Sequence, residues 1–294
     1  MFKKILIIGK GSAGINHKKI LNSYFKKKKI EVVSARKLNF FNNKILCKKI
    51  FNLAPKYIIL CAPSSQHFQY LKKIESLFSN TDVLIEKPLF NKYHNLPKKL
   101  KNNYYVGFNL RFHPLVKHLK KIIFKKKLFY IDIASSSYLP NWRKKNYKKS
   151  VSAQKKLGGG VLLELSHELD LLCWFFKKIK LISVINKKIS KLKIDCDDIL
   201  ITLGKIDDQS YFNLKLNFFS QINERIIKID GDKFSILCDL LKNELSYLNK
   251  KRKKIKLNSF NIKQTYIDQY KDFFNLKKTV CKLNEAIAVQ KLIN

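Results

Sequence analysis

Carboxylates are scarce in this chain: 21 Asp and Glu stand against 61 Lys and Arg, giving a formal charge of +40 over 294 residues. Long apolar runs are missing altogether. None approaches the ~20 residues that cross a bilayer, so no membrane partner is expected. The apolar stretch after Met1-Phe2-Lys3-Lys4 is too short for a signal peptide and runs straight into a glycine turn. The six cysteines (Cys47, Cys61, Cys173, Cys196, Cys238, Cys281) form no CxxC pair and no metal-ligand spacing. They read as buried reduced thiols, with no metal expected, and they fit a cytoplasmic protein.

No helix-turn-helix, zinc-finger or RNA-recognition signature accompanies the charge. The excess is nearly all Lys, spread from end to end alongside abundant Asn and Ile, whose codons are AT-rich. The bias of an AT-rich genome accounts for it better than a nucleic-acid partner, so no nucleic acid is expected. An anionic substrate is the milder implication. A hydrophobic share of 46% describes a globular chain, and its length suits two domains.

Short apolar runs at Ile5–Ile8, Ile30–Val33, Tyr57–Cys61, Val83–Ile85 and Tyr104–Phe108 alternate with amphipathic stretches. That is the signature of βα units around a parallel sheet covered on both faces. Polar punctuation falls at the C-terminal ends of these runs, where open α/β sheets bind ligands. After about Pro114 the texture changes. A basic helix, a strand over Leu128–Ser137 and a helix over Gly160–Phe176 lead into alternating segments from Leu181 to Asp239, with two helical stretches closing the chain. The expected fold is α/β: an N-terminal doubly wound parallel sheet of Rossmann type over 1–115, then an α+β domain with an open-faced, mostly antiparallel sheet over 116–294. An uncovered sheet face suggests a homodimer or homotetramer.

The sharpest motif is Gly9-Lys10-Gly11-Ser12-Ala13-Gly14, placed between a strand and a helix. In such a turn the first glycine permits the bend and the second lets backbone approach a pyrophosphate. The third allows close helix–strand packing, and the helix N-terminus supplies N–H groups. Gly9, Gly11, Ser12, Ala13 and Gly14 are therefore expected to hold a dinucleotide. The second strand ends in Val33-Ser34-Ala35-Arg36-Lys37, with no carboxylate to bond ribose hydroxyls. Ser34 and Arg36 could hold a 2′-phosphate, which favours NADP, with NAD possible; a lysine-biased loop touching nothing is the alternative.

Gly158–Phe176 is the second centre. Its helix is apolar apart from Glu164, Ser166, His167, Glu168 and Asp170, and at 100° per residue the four ionisable groups share a face. His167 is the natural general acid/base, since imidazole exchanges protons near neutral pH. Arg111 at a strand end, and Arg143 beside Trp142, are candidates for a substrate phosphate or carboxylate; Tyr147 and Lys156 are weaker ones.

Taken together these pieces resemble the glucose–fructose oxidoreductase / inositol dehydrogenase / MocA family of NAD(P)-dependent oxidoreductases. Four motifs in order carry the resemblance: Gly9–Gly14 with His17, Ala62-Pro63-Ser64-Ser65-Gln66-His67, Glu86-Lys87-Pro88-Leu89, and Gly158-Gly159-Gly160 leading to His167 and Asp170. The resemblance implies that Ala62, Pro63, His67, Glu86 and Lys87 line the cofactor site. It implies that Lys87 reaches the substrate oxygen beside the nicotinamide, where an ammonium stabilises developing negative charge, and that the bond before Pro88 is cis. Arg111, Trp142, Arg143, Glu164, His167 and Asp170 are the residues expected around the substrate, which the resemblance implies is a sugar or nucleotide-sugar. The family commonly has Asp four residues before this histidine; here that residue is Leu163, leaving Glu164 or Asp170 as the orienting carboxylate. Tyr138–Arg143 and Gly107–Pro114 look like stretches of surface-polysaccharide and sugar-acid biosynthesis enzymes. A dinucleotide-binding sensor or regulatory protein without redox turnover is the alternative expectation.

Overall fold

The computed structural model describes residues 4–25, 29–34, 52–143, 146–207, 209–249 and 251–293. They fall into two compact units, Met1–Phe108 with Gln269–Leu292, and Asn109–Asp268.

The first unit is built on β1 (Lys4–Ile8), β2 (Lys29–Val33), β3 (Tyr57–Leu60), β4 (Asp82–Ile85) and β5 (Asn103–Val106). These strands are parallel, in the order β5-β4-β3-β1-β2, and Cys281–Lys282 adds an antiparallel edge beside β5. Ile5, Ile7, Ile8, Ile58, Ile59 and Leu60 are all 0% exposed, as continuous apolar runs require in a sheet covered on both faces. The chain leaves β1 towards β2 on one side and returns to β3 on the other. Strand order therefore reverses between β1 and β3, and a crevice opens there at the C-terminal strand ends. Helices α1 (Ser12–Tyr24) and α2 (Ser64–Leu77) start from those two ends.

The C-terminal segment corrects the expected division. Gln269–Leu292 belongs to the first unit, not the second. The reason is aromatic: Phe273 and Phe274 pack on Tyr57, Phe273 also meets Tyr105, and Tyr270 stacks on Phe274. The edge strand beside β5 then fixes the chain to the sheet.

The second unit opens with a buried turn, Asn109–Phe112, and α3 (Pro114–Ile123). Proline at the first helical position and the His113 ring accepting from Leu115 N start this helix. Its sheet runs through β6 (Leu128–Tyr138), β7 (Ile179–Lys187), β8 (Ile199–Ile206), β9 (Ser210–Asn217), β10 (Phe219–Gly231), β11 (Phe234–Asp239), β12 (Glu244–Leu248) and β13 (Arg252–Lys256). The order is β13-β12-β11-β10-β6-β9-β8-β7, antiparallel throughout except where β6 and β9 run parallel. The last two strands extend the sheet beyond the expected limit at Asp239. One face buries Ile131, Ile133, Phe212, Leu214, Ile227, Ile229 and Ile236, and the other leaves Tyr130, Leu203, Tyr211 and Leu237 exposed. The open-faced, mostly antiparallel sheet is as expected.

The helix expected over Gly160–Phe176 is broken. It forms α4 (Val161–Glu164) and α5 (Ser166–Phe175), interrupted at Leu165, whose ψ of 27° departs from helical geometry. The continuous-helix spacing that put Glu164 on one face with His167 therefore does not apply across this break.

Candidate active site

Gly9 adopts φ +129°, and a methyl group there would come 2.6 Å from the carbonyl oxygen of Cys61 across the β1/β3 crevice. A methyl on Gly14 would come 2.0 Å from the carbonyl oxygen of Gly9. Gly11 faces open space and caps α1 without any side-chain hydrogen bond; the first turn carries no acidic residue. The backbone of Gly11, Ser12 and Ala13 is thus open to a ligand, at a helix end whose N–H groups and dipole favour an anion. A dinucleotide pyrophosphate fits this cradle. Ser34 follows β2 directly and is half-buried; Arg36, with Ala35 and Lys37, lies outside the described residues.

Glu86 and Lys87 follow β4, and the Lys87–Pro88 bond is cis, as the resemblance implies. Glu86 Oε1 accepts from His17 Nε2 at 2.6 Å, and Oε2 accepts from the Lys87 amide at 3.2 Å. Tyr270 Oη lies 2.6 Å from the other ring nitrogen of His17. Burial opposes charge on His17, but Cys61 and the Glu86 carboxylate outweigh it and push its pKa up to about 10. Burial likewise opposes charge on Glu86, while the hydrogen bond and charge of His17, together with Lys87, hold its pKa below the usual value. The two directions favour the ionised form of the pair, and Glu86 keeps 15% exposure.

His67 does not face the crevice as a cofactor ligand. At 1% exposure its Nε2 lies 2.8 Å from Ala62 O, and its Nδ1 lies 3.1 and 3.0 Å from Pro88 O and Leu89 O. Burial lowers its pKa against the pull of these carbonyls. It clasps the strand-end loops carrying Ala62, Pro63 and Lys87, and any part it plays at the cofactor is through backbone.

In the second unit, Gly160 at φ +113° precedes α4, with Asp197 Oδ1 at 2.1 Å from where its Cβ would be. The Asp197 carboxylate accepts from Leu162 N at 2.8 Å and so caps the helix. Leu163, Glu164 and His167 are half-buried. Their acidic neighbours are not presented to a ligand. Asp170 and Arg111 are each 1% exposed and joined at 2.7 Å, with Arg111 Nε reaching both carboxylate oxygens. Glu168, 2% exposed, accepts from Arg225 Nε at 2.7 Å. The expectation that Arg111 and Asp170 contact substrate is corrected here: the two are committed to a buried ion pair that ties α5 to the Asn109–Phe112 turn. Trp142 donates to Ser137 Oγ and packs edge-on against Phe218, and Arg143 beside it is exposed. The Tyr147 hydroxyl is taken by the Lys193 amide, and Lys156 is exposed.

Arg225, Tyr270 and Asp197 are the residues that spacing did not reveal. For Arg225 a signal existed. Only five of the chain's 61 basic residues are Arg, and two of them form these buried ties. An Arg kept against so strong a Lys bias marks a place where its planar fork matters.

No protein-family model matches the chain, and comparison with curated proteins finds no match. Solved structures do match. UDP-N-acetylglucosamine 3-dehydrogenase GnnA from Acidithiobacillus ferrooxidans superimposes with a TM-score of 0.75 at 15% identity, covering 99% of this chain and 95% of that one. WlbA dehydrogenase from Bordetella pertussis, in complex with NADH and UDP-GlcNAcA, gives 0.76 at 12% identity, covering 100% and 94%. A super-repressor mutant of Gal80p from Saccharomyces cerevisiae gives 0.78 at 14% identity, covering 100% and 94%. The fold of this chain is the fold of these proteins, whose dehydrogenase members are of the glucose–fructose oxidoreductase / inositol dehydrogenase / MocA type.

Proposed function

We propose that the chain is an NAD(P)-dependent oxidoreductase that moves a hydride between a nicotinamide dinucleotide and a sugar or nucleotide-sugar. The observation that carries this reading is the turn at Gly9–Gly14, open at Gly11 and set at the β1/β3 switch point. When bound, the nicotinamide supplies the hydride chemistry. The amides at the start of α1 hold the pyrophosphate, and the loops after β3 and β4 line the crevice through Ala62, Pro63 and Glu86. Lys87 donates to the substrate oxygen and stabilises negative charge developing there. His167 exchanges the substrate hydroxyl proton, and Glu164, Trp142 and Arg143 are its substrate-side neighbours along the chain. GnnA and WlbA are dehydrogenases named with UDP-sugars, which supports a nucleotide-sugar. A place in surface-polysaccharide or sugar-acid biosynthesis rests on Tyr138–Arg143 and Gly107–Pro114 alone. WlbA holds NADH, while a preference for NADP here rests on Ser34 and the sequence at Arg36.

A second copy of the chain docks on the open sheet face. Five of the chain's 21 carboxylates (Asp132, Glu224, Asp230, Asp239, Glu244) share it with Lys180, Lys187, Lys205, Lys215, Lys228, Arg252, Lys254 and Lys256, with ion pairs of 3.0–3.2 Å around Glu224, Asp230 and Glu244. With five carboxylates against eight basic side chains, this face carries far less than its share of the +40 charge, and two such chains can approach through it. Sedimentation showing only monomer would refute this.

A second reading, a dinucleotide-binding regulator without turnover, is favoured by the likeness to the Gal80p repressor. Lys87→Ala separates the two. The oxidoreductase reading expects unchanged NADH affinity and turnover lowered about 10²–10³-fold across a sugar panel headed by UDP-N-acetylglucosamine. The regulator reading expects no turnover in either protein.

A further inference from the structure

We infer that His17 and Tyr270 are positioning residues for Lys87, acting through Glu86. The links are Tyr270 Oη to His17 Nδ1 at 2.6 Å, His17 Nε2 to Glu86 Oε1 at 2.6 Å, and the Lys87 amide to Glu86 Oε2 at 3.2 Å. Downstream, His67 holds the carbonyls of Pro88 and Leu89. Lys87 is thus clamped on both sides, and only the upstream clamp depends on distant parts of the chain. His17 stands on α1, the helix whose N-terminus is the pyrophosphate cradle, so cofactor turn and Lys87 turn form one mechanical piece. Tyr270, 0% exposed and stacked on Phe274, comes from the C-terminal segment and holds the imidazole ring from its far side. The groups facing His17 are Cys61 from the end of β3, Glu86 after β4, and Tyr270. In this setting an imidazolium donates from both nitrogens, to the Glu86 carboxylate and to the Tyr270 oxygen. Without it, Glu86 is a mostly buried carboxylate that keeps only the charge of Lys87 and loses its hydrogen-bonded partner, so it is driven towards taking up a proton and turning away from the Lys87 amide.

The functional meaning of this clamp rests on the role proposed for Lys87, but its test does not require a known substrate. The full chain is labelled with trinitrobenzenesulfonate, and modification of Lys87 is followed by peptide mass spectrometry against Lys72 and Lys19, both exposed. In Tyr270→Phe and His17→Gln, Lys87 is expected to label at least fivefold faster while the two reference lysines stay within twofold. Unchanged Lys87 labelling in both variants, or acceleration of all three lysines together, overturns the inference. Tyr270→Phe keeps the test decisive if His17→Gln does not fold. Lys87→Ala, run in parallel for turnover with UDP-N-acetylglucosamine, tests the proposed chemistry separately. Full turnover there would remove Lys87 from the reaction without touching the labelling result.

Discussion

Arg111 and Asp170 meet as a buried ion pair 59 residues apart in sequence, with Nη2 at 2.7 Å from Oδ1 and Nε at 2.9 Å from Oδ2. Two charges removed from water in this way hold each other in place, and removing one strands the other.

Arg111→Leu should therefore lower unfolding free energy by about 3–5 kcal/mol, read by urea denaturation. Arg111→Leu combined with Asp170→Leu should recover part of that loss. A rise in KM for substrate with no loss of stability would instead return Arg111 to the substrate.

The His17–Glu86 pair gives stability a pH signature. The folded pKa of His17 is raised to about 10, so its contribution is complete below its ordinary value and is lost as pH rises through about 10. The folded pKa of Glu86 is depressed, so its contribution is present above the ordinary carboxylate value and is lost as pH falls. Thermal melts should show wild type losing more stability than His17→Gln between pH 8 and pH 10.5. Parallel curves would contradict a charged His17.

His113 predicts the opposite limb. Its ring accepts from Leu115 N, and burial, with Arg225 nearby, lowers its pKa from 6.5 to about 4. The unfolded chain takes up a proton below pH 6.5 while the folded chain refuses it down to about 4, so stability falls across that window. The loss is at most roughly 3 kcal/mol. His113→Asn, which keeps an acceptor for Leu115 N without titrating, should flatten this acid limb in denaturation measured from pH 7 to pH 4. An unchanged limb would assign it to other groups.

The parallel sheet was legible because each of its strands is a short apolar run ended by polar residues, a pattern set by burial on both faces. The glycine turn was legible because its spacing is a steric requirement, and the methyl clashes at Gly9 and Gly14 show why. Partners distant in the chain leave no periodic trace. His17 finds Glu86 69 residues away and Tyr270 253 away, and neither follows from local pattern. The aromatic stripe Tyr270-Phe273-Phe274 reads as a buried helical face, but nothing in it says which core receives it. The acidic run after Gly160 suggests a site because charged groups on an apolar helix demand an explanation. For Glu168 and Asp170 that explanation proved to be Arg225 and Arg111.

The most direct test of a nicotinamide-dependent enzyme is fluorescence titration of the purified chain with NADH and NADPH, beside Gly14→Ala. Saturable binding to wild type is expected. Its loss is expected in Gly14→Ala, where the added methyl would meet the Gly9 carbonyl at 2.0 Å. No binding of either dinucleotide to folded wild type would contradict the account.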